Sequence, residues 1–208
     1  MSRKIVRLTL DHLDALPSPC RSCLFWELDP VRRSQVADPA AEKEAWISEV
    51  LREWGSCGRV ALVDGEPTGY LVYAPERFVP GAAGFPTAPV SPDAVLLTTA
   101  YVDPAYAKGG LGRMLVQGMA RDLTERGIRA VEAFGDHRGG GCCVVPADFL
   151  SGVGFKTQRA HGTHPRMRME LRSAITWRTD VEAAWERLWG AVRPASKATR
   201  GASRVLRR

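Results

Sequence analysis

A strand that runs into a glycine-rich turn and then a helix constrains this chain more than any other feature. Residues 94–102 form an apolar, β-branched run that predicts a buried strand. Pro104 follows, then the loop AKGGLG at 107–112 and a helix over 112–126 that ends at Gly127. Backbone N–H groups in the first turn of a helix point toward one spot, at the positive end of the helix dipole. The turn therefore predicts a site for a phosphate group.

Two common phosphate loops do not match this one. A P-loop needs Gly-Lys-Ser/Thr at its end, whereas Gly112 is followed by Arg113 and Met114, with no hydroxyl for magnesium. A dinucleotide-binding turn needs a third glycine where Leu115 stands, and it follows the first strand of its unit rather than a strand in mid-chain. A glycine-rich turn that only joins a strand to a helix stays open as the alternative.

The loop instead resembles motif A of the GNAT acetyltransferase superfamily, written Gln/Arg-x-x-Gly-x-Gly/Ala. Gly110 and Gly112 occupy the two small positions, and Val102-x-Pro104 matches the Val-x-Pro that usually precedes the loop. Ala107 stands where the family usually has Gln or Arg. The resemblance implies that backbone N–H groups hold the pyrophosphate of coenzyme A. Without the usual side chain at Ala107, we expect weaker phosphate binding rather than none.

A second stretch agrees with the family in its spacing. GNAT members often carry Asn-x-x-Ala-x-x-Phe-Tyr-x-x-x-Gly-Phe, and the frame here is Cys143-x-x-Pro146-x-x-Phe149-Leu150-x-x-x-Gly154-Phe155. Leu150 replaces the tyrosine that protonates the departing thiolate in the family, so another group or water must fill that role. Cys143 replaces an asparagine that lies close to coenzyme A.

The resemblance implies acetyl-CoA as the cofactor and assigns its contacts along both motifs. The expected cofactor-binding residues are Ala100, Tyr101, Val102, Ala107, Lys108, Gly109, Gly110, Leu111, Gly112, Arg113, Cys143 and Phe149.

The predicted element order, β-α-α-β-β-β-α-β-α-β-β, is similar to the GNAT fold over residues 3–172. This implies an α/β (α+β) fold with a central mixed, mostly antiparallel sheet flanked by helices. We expect an acetyltransferase domain at 1–172, a C-terminal helix extension at 173–193 and a disordered basic tail at 194–208.

Direct transfer requires an oxyanion donor, a base for the amine and an acid for the thiolate. In GNAT enzymes the strand before motif A splays from the next strand, which makes the Ala100 N–H the implied donor to the thioester oxygen. The acidic residue sometimes found four positions earlier corresponds to Leu96, so that base is missing. Cys143 is our candidate for the acid, or for a nucleophile that carries the acetyl group.

Several residues remain as candidates for the base. Glu132 and His137 lie near the expected splay, together with Asp136; Glu27 and Glu66 are further options. Glu132 equally fits the exposed face of an alternating strand. Histidine is the residue type suited to proton exchange near neutral pH, which makes His137 a candidate, but His137 also fits a solvated residue of a glycine-rich loop.

The cysteines leave three interpretations open. Cys20-x-x-Cys23 and the adjacent pair Cys142-Cys143 fit a zinc site, a redox pair or reduced thiols that pack in the interior; Cys57 is the fifth. Neighbouring thiols chelate poorly because their side chains diverge, so we expect no bound metal. The pair His161 and His164, without a helix to align them, is likewise interpreted as an exposed loop.

The net charge of +6 lies entirely in the tail, because the six basic residues from Arg193 onward account for it. A neutral domain does not predict nucleic-acid binding, and only the tail offers a possible contact. No apolar run is long enough for a membrane span, so we expect a cytoplasmic protein without a membrane partner. An apolar stripe from Val181 to Val192 predicts a helix packed on its own domain or on a second copy, as in a homodimer.

We therefore interpret the chain as an acetyl-CoA-dependent N-acetyltransferase. By direct attack, a primary amine of a small molecule or peptide would take the acetyl group. The alternative is a non-catalytic GNAT-like module that binds acyl-CoA or a partner protein.

Overall fold

The computed structural model describes residues 1–15, 20–139 and 143–171. Cys142, the predicted C-terminal helix and the predicted basic tail lie outside the described residues. Domain boundaries near residue 172 therefore stay predictions.

Within these ranges, eight strands form one sheet in the order β1-β2-β3-β4-β5-β8-β7, with β6 paired to β5. The strands are β1 Arg3–Arg7, β2 Gly58–Val63, β3 Glu66–Ala74, β4 Ala94–Val102, β5 Ala130–Asp136, β6 Val145–Pro146, β7 Lys156–Arg159 and β8 Arg166–Glu170. The pairs β4–β5 and β5–β6 are parallel and the other pairs are antiparallel. The predicted mixed, mostly antiparallel sheet is confirmed.

The α-helices flank this sheet. They are α1 Pro30–Arg33, α2 Pro39–Trp54, α3 Leu111–Glu125 and α4 Ala147–Gly152. Short 3-10 helices cover Leu10–Ala15, Glu76–Phe78, Pro80–Gly84 and Pro104–Tyr106. None of the described helices has the length and apolar character needed to cross a bilayer.

Local sequence signals account for the ends of several elements. Helix α2 begins after Asp38, whose carboxylate accepts the N–H groups of Ala40 and Ala41. Strands β2 and β3 form an antiparallel hairpin, and its turn residues Asp64 and Gly65 have φ values of 50° and 94°. Positive φ at both positions matches the twist of the flanking strands. Sequence analysis missed α1 and the two-residue strand β6, which are too short to show a period.

Two apolar layers cover the two faces of the sheet. On one face, α3 buries Leu115, Met119 and Leu123 against β3, β4 and β5. On the other, α2 buries Ile47 and Val50 against a second cluster. The sheet therefore separates an α3 face from an α2 face, and both faces contribute to the site.

A buried polar network ties α3 to the sheet. The Tyr73 hydroxyl donates to Asp122 Oδ2 at 2.8 Å, and Arg59 Nη2 lies 2.5 Å from Asp122 Oδ1. Ser56 Oγ lies 2.9 Å from the Tyr73 hydroxyl. Burial by itself raises the pKa of Asp122, but the Tyr73 hydrogen bond and the Arg59 charge outweigh it and lower the pKa below its ordinary value. The network holds a negative charge in the α3 layer.

Candidate functional site

Strands β4 and β5 separate along their length. They pair only where Ala94–Leu96 of β4 faces Ala130–Glu132 of β5. A shift in the β3–β4 register leaves Thr98 as an extra residue in β4, which is a β-bulge. Bulges bend a strand and are common beside functional sites. The later half of β4 therefore lacks a β5 partner among the described residues, as the family resemblance implied.

A cavity of about 280 Å³ opens on the α3 face beside this splay. Its lining contains most of the predicted cofactor residues, namely Ala100, Tyr101, Val102, Ala107, Lys108, Gly110, Leu111, Gly112 and Phe149. We call this cavity the cofactor groove. It also contains Leu71, Tyr106, Leu115, Val145 and Pro146, which sequence analysis did not assign.

The start of α3 contributes Gly110, Leu111 and Gly112 to the lining of the cofactor groove. Gly110 precedes the helix with φ of 81°, and no described side chain caps the first turn. The first bond of the helix runs from the Met114 N–H to the Gly110 carbonyl, at 3.1 Å. N–H groups of a first helical turn have no acceptor within the helix and lie at the positive end of its dipole. The part of the groove lined by the first turn of α3 is therefore suited to a phosphate group.

Gly112 is needed for close packing rather than for its backbone conformation. A Cβ at this position would lie 2.8 Å from Cε2 of Phe149. The Phe149 ring, carried by α4, therefore packs directly on the first turn of α3. This contact links the two motifs that resemble the family.

Three predicted cofactor residues lie outside the lining of the groove. The Gly109 N–H donates to the Tyr106 carbonyl at 3.3 Å, and its own carbonyl accepts from Arg3 Nη1 at 2.6 Å. Arg113 Nη2 donates to the Gly152 carbonyl at 2.9 Å. Because the Gly109 amide is used inside the loop, we move the start of the expected phosphate cradle to Gly110.

The third of them, Cys143, lines a second cavity on the α2 face. This cavity measures about 20 Å³, room for one water-sized group, and we call it the thiol pocket. Its lining is Cys20, Cys23, Trp26, Glu27, Lys43, Ile47, Tyr70, Val72, Thr99 and Cys143. Thr99 of this pocket precedes Ala100 of the groove, so the two cavities lie on opposite faces of β4 at the splay.

Buried polar groups organise the thiol pocket. Lys43 Nζ donates to the Cys23 carbonyl at 3.1 Å and forms a buried ion pair with Glu27. Trp26 Nε1 donates to the Cys143 carbonyl at 2.7 Å. The sulfur atoms of Cys23 and Cys143 lie 3.3 Å apart, in hydrogen-bond contact. Segments distant in sequence therefore meet in one polar cluster.

Tyr70 supplies an unsatisfied hydroxyl to the same pocket. The residue is 3% exposed, and no described residue accepts from or donates to its hydroxyl. Burial, and then the neighbouring Cys20 thiol, raise the pKa of Tyr70 above its ordinary value. A neutral hydroxyl without a hydrogen-bond partner favours a bound polar group in the pocket.

Of the two interpretations of Glu132, a base near the splay and an exposed strand residue, the exposed one is wrong. Glu132 is fully buried, and Arg168 Nη1 donates to its Oε1 at 3.1 Å while the Ser91 N–H donates to Oε2 at 3.0 Å. Arg166 Nε lies 3.5 Å from the same Oε2. Glu132 lines neither cavity, so its surroundings favour a structural anchor between β5 and β8 over the predicted base.

The other predicted catalytic positions differ in their surroundings. Ala100 lines the groove opposite Leu71 of β3, where its backbone was expected to meet the thioester. His137 is exposed just beyond β5, and its N–H donates to the Thr163 carbonyl at 3.1 Å. Leu96 and Leu150, at the family's acid and tyrosine positions, are fully buried in the two cores.

Glu27 is the carboxylate that the fold brings to the thiol pocket, and Asp136 instead accepts the Arg138 N–H at 2.8 Å. Glu66 is exposed at the β2–β3 turn, away from both cavities. Among the residues whose positions are given, no cluster of three or more His, Cys, Asp or Glu side chains has the geometry for a metal ion. The absence of a metal stays a prediction.

Comparisons with known proteins bear on this geometry. The model of the acetyltransferase (GNAT) family matches residues 22–138. A search of curated protein sequences gave no match.

Several solved structures share the fold. PaiA N-acetyltransferase from Thermoplasma acidophilum, solved in complex with coenzyme A, has 15% identity and a TM-score of 0.55 over 82% of this chain and 99% of that chain. YncA, a putative acetyltransferase from Salmonella typhimurium solved with acetyl-CoA, has 16% identity and a TM-score of 0.56 over 82% of this chain and 95% of that chain. An N-acetyltransferase from Staphylococcus aureus Mu50 has 14% identity and a TM-score of 0.55 over 82% and 99%.

At such identities the solved structures establish the fold, whereas the family model covers more than half of the 208 residues. The splayed strands, the groove at α3 and the family match agree with one another. This protein belongs to the GNAT family of acetyltransferases, whose cosubstrate is acetyl-CoA.

Proposed function

We propose that this protein is an N-acetyltransferase that moves the acetyl group of acetyl-CoA to a primary amine of a small molecule or peptide by direct attack. The main support for this proposal is the pair of cavities on opposite faces of β4, at the point where β4 separates from β5. A cofactor in the groove then meets, through the gap between the strands, the amine group of an acceptor, which matches the single water-sized space of the thiol pocket.

The groove supports a definite orientation for the cofactor. The pyrophosphate oxygens accept hydrogen bonds from the N–H groups of Gly110, which precedes α3, and of Leu111 and Gly112, which begin it. The pantetheine then runs along β4 from Val102 toward Ala100. In this orientation the Ala100 N–H donates to the thioester oxygen as negative charge develops there.

The acceptor side supplies the groups for proton transfer. Cys143 lines the thiol pocket and Val145, two residues later, lines the groove, which supports a position for the Cys143 thiol near the sulfur of the cofactor. We propose that its thiol protonates the departing coenzyme A thiolate. The alternative mechanism at the same residue is covalent: Cys143 first takes the acetyl group and then passes it to the amine. Glu27 replaces Glu132 as our candidate carboxylate because only Glu27 lines the pocket.

A panel of primary amines tests the proposal. Acetyl-CoA is incubated with the full chain and each amine, and both released thiol and acetylated product are measured, the latter by mass spectrometry. We expect at least one amine to give product at a rate above that of acetyl-CoA hydrolysis without amine. Thiol release that no amine accelerates would contradict amine acetylation.

A non-catalytic acyl-CoA-binding module is the second candidate. The observation that favours it is that leucine, fully buried, stands at positions 96 and 150, so the acid and the tyrosine of the family are both missing there. Tight acetyl-CoA binding in calorimetry, with no thiol release from any amine in the panel, is the outcome expected for this module.

A further inference from the structure

Two thiols meet in the thiol pocket, and hydrogen bonds from buried side chains fix the backbone of each cysteine. Cys23 and Cys143 are 120 residues apart in sequence, and their sulfur atoms are 3.3 Å apart. Lys43 donates a hydrogen bond to the carbonyl of Cys23, and Trp26 donates one to the carbonyl of Cys143. Both donors are at least nine-tenths buried, at 5% and 2% exposure. The contact between the thiols is therefore preorganised.

Cys57 shows what a packing cysteine is like in this protein. It is fully buried, and burial raises the pKa of its thiol to about 12. Such a thiol has almost no thiolate at neutral pH and is inert. Cys23 and Cys143 are instead partly exposed and line a cavity. Their surroundings favour reaction rather than packing.

The cofactor groove leads to this pair. With the pyrophosphate at Gly110, the chain of coenzyme A extends along the groove, whose lining also includes Ala100 and Val145. Thr99 and Cys143, close to these residues in sequence, line the thiol pocket. The sulfur end of a coenzyme A derivative in the groove therefore approaches Cys143.

We propose that Cys23 and Cys143 form a dithiol that reduces disulfides of coenzyme A and is converted to a protein disulfide that stops acyl transfer. The oxidant is a coenzyme A disulfide, which the same groove recognises by its nucleotide. The loss of acyl transfer rests on the proposed function, whereas the thiol reaction itself requires only coenzyme A binding.

The reaction proceeds in two balanced exchanges. The Cys143 thiolate attacks the coenzyme A sulfur of the disulfide, forms a Cys143–coenzyme A disulfide and expels the first thiolate, which takes up the proton lost by Cys143. The Cys23 thiolate then attacks the Cys143 sulfur, breaks its bond to coenzyme A and expels coenzyme A thiolate, which takes up the proton lost by Cys23. Two protein thiols are oxidised and one disulfide is reduced to two thiols.

The test exposes the full, prereduced chain to symmetrical coenzyme A disulfide and, in parallel, to pantethine, the same disulfide without the nucleotides. Released coenzyme A, intact mass and linked peptides are measured. We expect the wild type to lose the mass of two hydrogen atoms, with a peptide containing Cys23 linked to one containing Cys143. Half-maximal oxidation should need about tenfold less coenzyme A disulfide than pantethine, because the groove raises the local concentration of its ligand.

Single substitutions separate the two exchanges. Cys23→Ser should stop with coenzyme A attached to Cys143, and Cys143→Ser should form no adduct. Cys57→Ser and Cys142→Ser are the matched controls and should react as the wild type does. The trapped adduct of Cys23→Ser keeps the test decisive even where Cys143→Ser fails to fold, which circular dichroism reports.

Three results would overturn the proposal. They are equal potency of pantethine, a disulfide that maps to Cys20 or Cys142, and undiminished acetyl transfer by the oxidised protein. The first two readouts need no amine substrate, so a failure of the proposed function is distinguishable from a failure of this one.

Discussion

At the scale of single residues, burial divides chemically similar side chains into different roles. Glu132 and Glu27 are both almost fully buried and ion-paired, yet Glu132 is held between two arginines of β8 away from both cavities, whereas Glu27 pairs with Lys43 and lines the thiol pocket. The thiols divide in the same way, since Cys57 is sealed in the core and Cys143 lines the thiol pocket. Residue type alone does not distinguish the members of either pair.

The role of Cys143 can be tested against its sequence neighbour. We expect Cys143→Ala to lower acetyl-transfer turnover by about a hundredfold, the lower end for loss of a general acid, with nearly unchanged affinity for coenzyme A. Cys142→Ala is the matched control and should retain turnover. Thiol-release kinetics and calorimetry measure the two quantities. Equal turnover of the wild type and Cys143→Ala would reduce this cysteine to packing.

The ionised Asp122 should stabilise the fold in a pH-dependent way. Its pKa in the folded protein is lower than in the unfolded chain, so its contribution is fully present above the unfolded value of about 3.9 and is lost as the pH falls through the lower folded value. We expect Asp122→Asn to reduce the free energy of unfolding by about 3 kcal/mol at about pH 7, because the buried Arg59 loses its partner.

Urea unfolding at about pH 7 and about pH 3 measures this effect, and the difference between wild type and Asp122→Asn should shrink at the lower pH. Asp14→Asn is the control, since Asp14 pairs with Arg21 on the surface and should change little. A difference that stays constant with pH would show that the Asp122 charge does not stabilise the fold.

At the scale of elements, we propose that the first turn of α3 holds the cofactor's phosphate groups. Gly110 has a positive φ and lines the groove, and a Cβ there meets no atom within 4 Å. Gly127, just after the same helix, has a similar φ of 75° and equally open surroundings, but it lies outside the lining of the groove. The two glycines differ chiefly in their position relative to the groove.

This pair allows backbone strain to be separated from blocked binding. We expect Gly110→Leu and Gly127→Leu to lose similar stability, about 1–2 kcal/mol, because both force a side chain into left-handed backbone. Only Gly110→Leu should also weaken acetyl-CoA binding, by about tenfold or more, as its side chain enters the space for the phosphate. Thermal unfolding and calorimetry measure the two effects. Equal acetyl-CoA affinity of both variants would contradict a phosphate cradle at Gly110.

At the scale of the whole molecule, the lining of the two cavities, as far as the described residues show it, lies between Cys20 and Phe149. We propose that residues 195–208 are not needed for acetyl-CoA binding or turnover. A chain without them should match the full chain in both, measured by calorimetry and thiol release. If this truncation alone abolishes activity on the true acceptor, the basic segment takes part in acceptor recognition.

The amino-acid sequence by itself determined the elements whose signals are local. The strand, glycine turn and helix around Gly110 were predictable because proline, glycine and apolar spacing act within a few residues. The same holds for the hairpin at Asp64 and Gly65 and for the helix that buries Ile47. These elements, with their resemblance to motif A, were enough to predict the family and most of the cofactor groove.

Only the tertiary structure decided which distant residues meet. Leu71 lines the groove because β3 pairs with β4, and Glu132 is buried because β8 places arginines beside it. The contact between Cys23 and Cys143 depends on the packing of separate segments over the sheet. No local spacing encodes such contacts, because they arise from strand register and the burial of apolar faces on both sides of the sheet.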